Sequence, residues 1–470
     1  MIPSSTLAFG GALHEQVRAH LVTRDGLEAA AILLCVRSPG PRLRLLTREA
    51  VLVPHRECRR AQDSLTWPGK WIEEALDRAE SEKLALILIH SHPGGFFDFS
   101  LADDESDRRV IPGLFQALGD LHGSAIMTGD GAIRARLYGE DLSPQPVDLV
   151  TVAGHDLNYW WEADAGGAGA LKRPVAFTSD MTRGLGRLSA TVIGASGTGS
   201  IVGEQLARLG FKNIKPIEFD RVEPRNLNRI LHSTLHDAIA RRLKVEVFAD
   251  AVASYRGIGV VEHVAASILT REAVLAASQS DVLFCCVDSL EARQIADLIS
   301  AAFLLPLFDV GVVIPVRKSG ENVAIADVCG RVDYVQPGRS TLSDRGVYTA
   351  ESLRAEYLRK AAPEVYAQEI REGYLKGLPE EAPAVITLNM RAASACVNEF
   401  IARVYPFRLE PNQLYARTLF SLAACEEEFT PEDAFQISHN PIMARGAQEP
   451  LLGLPALTQR SDDEPCSLVA

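Results

Sequence analysis

Apolar residues along this chain fall into two alternating patterns: short continuous runs bounded by polar or glycine-rich clusters, and longer stretches of helical period. LEAAAILLCV (27–36), RLRLLTREAVLV (42–53) and LALILI (84–89) belong to the first kind and predict buried strands. WIEEALDRAESEKL (71–84) and IPGLFQALGDL (111–121) predict helices, and AIMTGDGAIRARLYG (125–139) predicts a closing hairpin with Gly-Asp-Gly at its turn. The composition then shifts. Ser143–Pro146 and Gly166–Gly169 bracket a segment holding Trp160 and Trp161, which reads as a linker over residues 146–180 whose aromatics anchor on one neighbour.

A second alternation follows. ATVIGAS (190–196) predicts a short buried strand, GTGS a glycine-rich turn, IVGEQLARLG a helix and IKPIEFD a second strand. This is a βαβ unit opening a doubly wound sheet, with the turn placed where a helix N-terminus can hold phosphate. DVLFCCV (281–287), LPLFDVGVVIP (305–315) and IADVCGRVDYVQPG (325–338) predict further strands. Residues 350–377 predict two polar helices split at Pro363, an insertion able to cap a site on that sheet. ITLNMRAASACVNEFIARVY (386–405) predicts an apolar helix, QLYARTLFSLAAC a late strand, and residues 441–470 an extended Pro/Gly-rich tail. The fold class is α/β: a mixed domain over residues 1–145, then a doubly wound sheet over 181–440.

Length and charge narrow the picture. A chain of 470 residues is too long for one ordinary core. A net charge of −13 argues against general nucleic-acid binding. The eight cysteines include no Cys-x-x-Cys pair, so neither a zinc ribbon nor a disulfide framework is signalled. The start MIPSSTLAFGG lacks a basic region followed by an apolar core, and the longest apolar stretch, Leu298–Val316, contains Pro306, Asp309 and Pro315. No membrane span and a cytoplasmic location are therefore expected.

Candidate chemistry lies first in His90-Ser-His92, at the end of the LALILI run, followed by Ser100 and Asp103. Residues two apart on a strand project to one side, so both imidazoles can face one ion. Two neutral imidazoles and a carboxylate, with a fourth position for water, suit a catalytic zinc. The other reading is a strand cap followed by a solvated acidic first helical turn, DDESD. The pattern His-x-His-(seven residues)-Ser-x-x-Asp resembles the JAB/MPN (JAMM) metallopeptidases at every motif position. That family places a glutamate on an earlier element, and Glu28 before AAAILL fits. The resemblance implies that His90, His92 and Asp103 bind Zn2+, that Glu28 is the general base, and that Ser100 donates to the developing oxyanion.

The second candidate site begins at Gly194, Gly197 and Gly199, with Ser196 where a dinucleotide fingerprint has its second glycine. Alone, this turn would serve a dehydrogenase equally well. Glu218-Phe-Asp220 ends the next strand, Asn226-Leu-Asn-Arg229 follows, Lys244 lies in a basic stretch, and Asp288 ends DVLFCCV. Arginine suits phosphate oxygens, and a carboxylate at a strand's carboxyl end can hold magnesium. The other reading is a Rossmann-like sheet whose Arg and Lys merely solvate a helix face. The set resembles the ThiF/ubiquitin-activating adenylyltransferases over about residues 180–440. By that resemblance Asp220 sits by the ribose, Asn226 and Arg229 by the phosphates, Lys244 by the triphosphate and Asp288 on Mg2+, with ATP as substrate. Glu218 stands where the family more often has Asp. Pro337-Gly-Arg-Ser340-Thr341-Leu-Ser343 lacks the cysteine pair that members often carry after this point, so no zinc site and no thioester are signalled there. Cys285, Cys286 and Cys396 read as core residues, while Cys329, Cys425, Ser340 and Thr341 leave a covalent step open.

Together the resemblances imply a two-headed enzyme acting on a ubiquitin-like or sulfur-carrier protein, as in prokaryotic ubiquitin-like systems. One head would cut at the carrier's C-terminus, either to expose it or, as an isopeptidase, to remove carriers from targets later, and the other would join the exposed carboxylate to AMP. The alternatives are sulfur-carrier activation and release in biosynthesis, and a peptidase with an inactive carrier-binding module. A conjugating enzyme as partner and a homodimer are expected from the resemblance.

Overall fold

The computed structural model describes residues 3–119, 121–164, 174–319, 322–371 and 385–458. Its first half is a nine-stranded mixed sheet. In spatial order the strands are Leu157–Trp161, Leu149–Ala153, Ser5–Gly10, Leu43–Leu52, Ala30–Ser38, Ala85–His92, His122–Thr128, Ile133–Tyr138 and Pro144–Pro146. The central strands are continuous apolar runs because both faces are covered. Ile32, Leu34 and Val36 face one core with Ala75, Ala79, Ile111 and Leu114, from helices Lys70–Glu80 and Leu101–Leu118. Ala31, Leu33 and Cys35 face the other with Val17 and Leu21 of helix Gly11–Leu21.

The second half is a seven-stranded sheet ordered Asn213–Ile217, Ser189–Ile193, Val282–Cys285, Leu307–Val313, Cys329–Val335, Arg417–Ser421 and Glu426–Thr430. The first four strands are parallel and the last three antiparallel. Helices Gly197–Leu209 and Ile386–Val404 cover one face, while Arg271–Ala277 and Leu290–Phe303 cover the other. The carboxyl ends of the parallel strands form the edge on which the glycine-rich turn sits, the usual ligand crevice of such sheets.

The halves share a core. Ile295, Ile299 and Phe303 pack in the same cluster as Ile32, Leu34 and Val36. Arg42 reaches across to Asp281 at 2.7 Å with both side chains buried. The Arg44 guanidinium donates to the carbonyls of Ser280 at 3.2 Å and Phe303 at 3.3 Å. Burial, aided by the neighbouring Arg42 charge, pushes the Arg44 side chain down to about 9.

Two expectations are corrected. The linker expected over residues 146–180 is instead largely structure: Leu149–Ala153 pairs in parallel with Ser5–Gly10, and Leu157–Trp161 forms the sheet edge. Its aromatics obey the two-residue period of a strand, Tyr159 and Trp161 packing toward the second half and Trp160 toward the first. Ser179–Leu185 is a helix capped by Thr178, and Gly166–Gly169 lie outside the described residues. The tail expected to be extended from 441 folds back instead. Ala444 and Gly446 donate N–H bonds to Ala301 and Ala302 at 3.0 and 2.8 Å, and Leu451, Leu452 and Leu457 are buried. Enough apolar side chains sit among its prolines and glycines to cover helix Leu290–Phe303; residues 459–470 lie outside the described set.

The polar helices Ala350–Ala361 and Pro363–Arg371 break at the expected proline, residues 372–377 again lying outside the described set. The first caps helix Leu290–Phe303, for Glu356 accepts the N–H groups of Leu290 and Glu291 at 3.2 and 3.0 Å. Among the described residues no helix is long and apolar enough to cross a membrane.

Candidate metal and nucleotide sites

Strand Ala85–His92 carries both histidines to the end of the first sheet, where His90 stands in register with Ala30. His90 Nε2 lies 3.0 Å from Asp103 Oδ1 and 3.0 Å from His92 Nε2, and His92 Nε2 lies 3.5 Å from Asp103 Oδ2. All three ligand atoms fall within 4.8 Å of one another. His92 Nδ1 lies 2.8 Å from the Phe96 carbonyl and donates its proton there, so Nε2, which faces Asp103, is the nitrogen left to an ion once its own proton is lost. Two imidazoles and a carboxylate converging in this way are the donor set of a catalytic zinc, so the residues present fit the ion.

Asp103 owes its position to helix Leu101–Leu118. Ser100 is the N-cap: its hydroxyl oxygen accepts the Asp103 N–H at 3.2 Å, and Asp103 Oδ2 accepts the Ser100 N–H at 2.6 Å. The capping box therefore fixes the third ligand and leaves the Ser100 hydroxyl hydrogen able to donate elsewhere. Burial favours the protonated form of Asp103, but hydrogen bonds from His90 and His92 outweigh it and hold the carboxyl well below the usual carboxylate range. For His92, burial opposes the charged form, yet the Asp103 carboxylate and the Phe96 carbonyl raise its pKa overall.

Glu28 is buried at the mouth of the adjoining strand, with its N–H donating to the Ala61 carbonyl at 2.8 Å and its carbonyl accepting from Arg60 Nε at 2.7 Å. Burial raises its carboxyl pKa, and the nearby His90 and His92 offset this only in part. Glu28, His90, His92 and Asp103 are thus brought together, with Ser100 one helical turn from the ligand it caps.

A residue outside the motif steadies this helix. Asp107, which the alternative reading places in a solvated acidic turn, is buried and accepts from Arg136 Nη2 at 2.7 Å and from the Tyr138 hydroxyl at 2.6 Å. The same guanidinium stacks 3.9 Å over the Phe99 ring.

On the second sheet Gly194 turns with φ +88, backed by Cys286 and Val287. A side-chain carbon at Gly199 would fall 1.7 Å from the Gly194 carbonyl oxygen, so only glycine fits. Ser196 precedes helix Gly197–Leu209 without a side-chain cap, leaving its first N–H groups to a ligand. A carbon on Gly197 would lie 2.4 Å from Asn389 Nδ2 and 3.1 Å from Arg229 Cδ. Arg229 donates to the carbonyl of Arg225 at 2.9 Å and to Asn228 Oδ1 at 3.1 Å, and has no carboxylate partner among the described residues.

One strand over, buried Lys244 pairs with Asp220 at 2.8 Å. Burial raises the Glu218 carboxyl pKa, the Lys244 charge offsetting it in part, while its Oε1 accepts the N–H groups of Phe219 and Asp220. Asp288 is exposed just beyond strand Val282–Cys285, on the same edge as Gly194. Asn226, expected beside phosphate, is buried with its amide oxygen accepting the Glu223 N–H at 3.0 Å, where it closes a turn.

The cysteines divide by surroundings. Burial pushes the Cys285, Cys286 and Cys396 thiols far up. Burial and a hydrogen bond to Asp327 push Cys329 up to about 11. Cys425 is exposed.

Residues 171–429 match the ThiF family, and residues 11–138 match prokaryotic homologs of the JAB domain. Ubiquitin-like modifier-activating enzyme 5 of Caenorhabditis briggsae is 26% identical over 160 residues, which is 32% of this chain and 34% of that protein. The NEDD8-activating enzyme E1 catalytic subunit of Arabidopsis thaliana is 32% identical over 114 residues, 24% of each chain. The chain spans about a third of the length, or less, of the curated relatives it matches. Among solved structures, E. coli MccB with ATP is 15% identical with a TM-score of 0.41, covering 57% of this chain and 68% of that one. PaaA is 15% identical with a TM-score of 0.38, covering 53% of this chain and 75% of that one.

Proposed function

The chain belongs to the ThiF family, and from that premise we propose that it adenylates the C-terminal carboxylate of a ubiquitin-like protein with ATP and carries a zinc peptidase that acts at the same C-terminus. The observation that carries this reading is the pairing of two complementary sites on one shared core. One is a His90–His92–Asp103 cluster beside buried Glu28; the other is an uncapped glycine-rich helix N-terminus beside Arg229. The peptidase head is assigned to residues up to Trp161 and the adenylating head to residues 179–458.

In the adenylating head, a carboxylate oxygen of the carrier attacks the α-phosphorus of ATP. A carboxyl–phosphate bond forms, the α–β phosphoanhydride breaks, and pyrophosphate leaves. The helix N–H groups at Gly197 and the Arg229 guanidinium neutralise phosphate oxygens, Asp220 holds the ribose, and Lys244, buried beside Asp220, holds charge near the triphosphate. Asp288 holds Mg2+. A masked carboxylate cannot attack, so cleavage that exposes the carrier's C-terminus precedes adenylation, and a shared core keeps both heads near one flexible tail.

In the peptidase head, His90, His92 and Asp103 would hold zinc, which when bound would bring the pKa of a water to about 7. Glu28, with its raised proton affinity, takes a proton from water and delivers it to the leaving amine, while Ser100 donates to the carbonyl oxygen of the scissile bond. The thiols of Cys285, Cys286, Cys329 and Cys396 are pushed up rather than activated, so none of these four is taken as a thioester site, and the covalent step stays open at exposed Cys425.

The test is exchange of labelled pyrophosphate into ATP with a ubiquitin-like protein present. The reading expects exchange that needs the carrier and is abolished by Asp288→Ala, with cleavage retained. Carrier cleavage without any exchange would instead favour a binding module that presents carriers to the peptidase.

A further inference from the structure

Glu28 sits beside the metal cluster, yet the strand it leads into, Ala30–Ser38, begins only after it. Its place is therefore set by what holds residues 28 and 29. Ala30 stands opposite His90 in the antiparallel pair with strand Ala85–His92, and carrying that register onward sets Ala29 opposite Ser91 and Glu28 opposite His92. Residues opposite one another in such a pair share a face, so the Glu28 carboxyl and the His92 imidazole lie on the same side of the sheet.

A regular ladder would join Ala29 and Ser91 by two reciprocal backbone bonds. One is present: the Ser91 N–H donates to the Ala29 carbonyl at 3.0 Å. The other is replaced, because the Ala29 N–H donates at 2.9 Å to the Ser91 hydroxyl oxygen instead of the Ser91 carbonyl. Both residues are buried, so an Ala29 N–H deprived of that hydroxyl is left unsatisfied. On its other side Glu28 is tied by its N–H to Ala61 and by its carbonyl to Arg60, in the hairpin of residues 59–66. Those bonds fix Glu28 to the hairpin; the Ser91 hydroxyl fixes it to the histidines.

We propose that Ser91, the residue between the two histidines, is a positioning residue for the general base: its hydroxyl holds the Ala29 N–H and thereby sets the Glu28 carboxyl against the ion that His90 and His92 would bind. This rests on the peptidase reading above and gives the middle position of His-Ser-His a task its neighbours do not share. The Ser91 side chain alternates to the face away from both imidazoles, so it acts through Glu28 and not as a ligand.

The test compares the full chain with Ser91→Ala, Ser91→Thr, Glu28→Gln and the double variant Ser91→Ala/Glu28→Gln. Two quantities are read: cleavage of a C-terminally extended ubiquitin-like protein, and zinc affinity by competition with a chromogenic chelator. Ser91→Ala should keep zinc affinity within about twofold and lower kcat about ten- to a hundredfold with KM little changed, the scale on which a misplaced reacting group costs rate. Ser91→Thr, which returns the hydroxyl, should restore cleavage. In the Glu28→Gln background Ser91→Ala should cause no further loss, because a residue acting through Glu28 then has nothing left to place. Unchanged cleavage in Ser91→Ala, zinc affinity lost with it, a Ser91→Thr as slow as Ser91→Ala, or losses that multiply in the double variant would each overturn the proposal. A wild-type chain that binds no zinc, or binds it and leaves the extended protein uncut, would fail the peptidase reading itself, a different outcome.

Discussion

Glu28 and Asp103 are two carboxyls beside the same imidazoles with opposite proton affinities. Asp103 takes hydrogen bonds from both histidines and stays ionised, as a ligand must, whereas Glu28 is buried without such bonds and gains affinity for a proton. Glu28→Gln should therefore leave zinc content near one per chain by atomic absorption while lowering carrier cleavage by about a hundredfold or more. His92→Ala should lose the metal itself. On the other sheet, Gly199→Ala drives a carbon into the Gly194 carbonyl and should abolish ATP binding, read by isothermal titration. His90, His92 and Asp103 were legible as a cluster because their spacing repeats the needs of one ion. The packing of Asn389 against Gly197 was not: a single amide in an apolar helix carries no signal until folding brings the two together. Asn226 was expected beside the phosphates; its amide oxygen accepts the Glu223 N–H, a turn contact that the motif spacing did not show.

Elements follow the same logic. Strands such as Ala30–Ser38 were plain in the sequence because burial on both faces leaves an unbroken apolar run. Leu157–Trp161 was overlooked because prolines and glycines flanked it, although its alternation of inward faces is that of any strand. The loop after strand Cys329–Val335 shows how an element is held by one group. Asp297 of helix Leu290–Phe303 accepts the Leu342 N–H and the Tyr348 hydroxyl at 2.9 and 2.8 Å. Burial nevertheless pushes its carboxyl up to about 7 from 3.8. With the folded pKa raised, the folded state binds the proton more tightly, so this stabilisation is full below about pH 4 and is lost as pH rises to about 7. Asp297→Asn cannot titrate, and the difference in Tm between wild type and variant should therefore shift against wild type between pH 4 and 7 and level off above.

At the scale of the whole molecule, the surprise is that two domains readable as separate units are joined by a common core and by buried arginines. Arg42 and Arg44, in the alternating RLRL run, have the pattern of a solvent-facing edge, yet both are buried where the sheets meet. Arg42→Ala leaves Asp281 buried without its cation, although Ser189 still donates to it, and should lower stability by about 3–5 kcal/mol in urea unfolding. A loss below about 1 kcal/mol would mean the halves are only loosely joined. That union bears on the proposed order of operations, in which a carboxylate is first exposed and then activated. Pyrophosphate exchange with two forms of one carrier tests this most directly, one ending at the mature C-terminus and one extended beyond it. The mature form should support exchange with both wild type and Glu28→Gln, and the extended form with wild type alone; exchange by Glu28→Gln on the extended form would contradict the account.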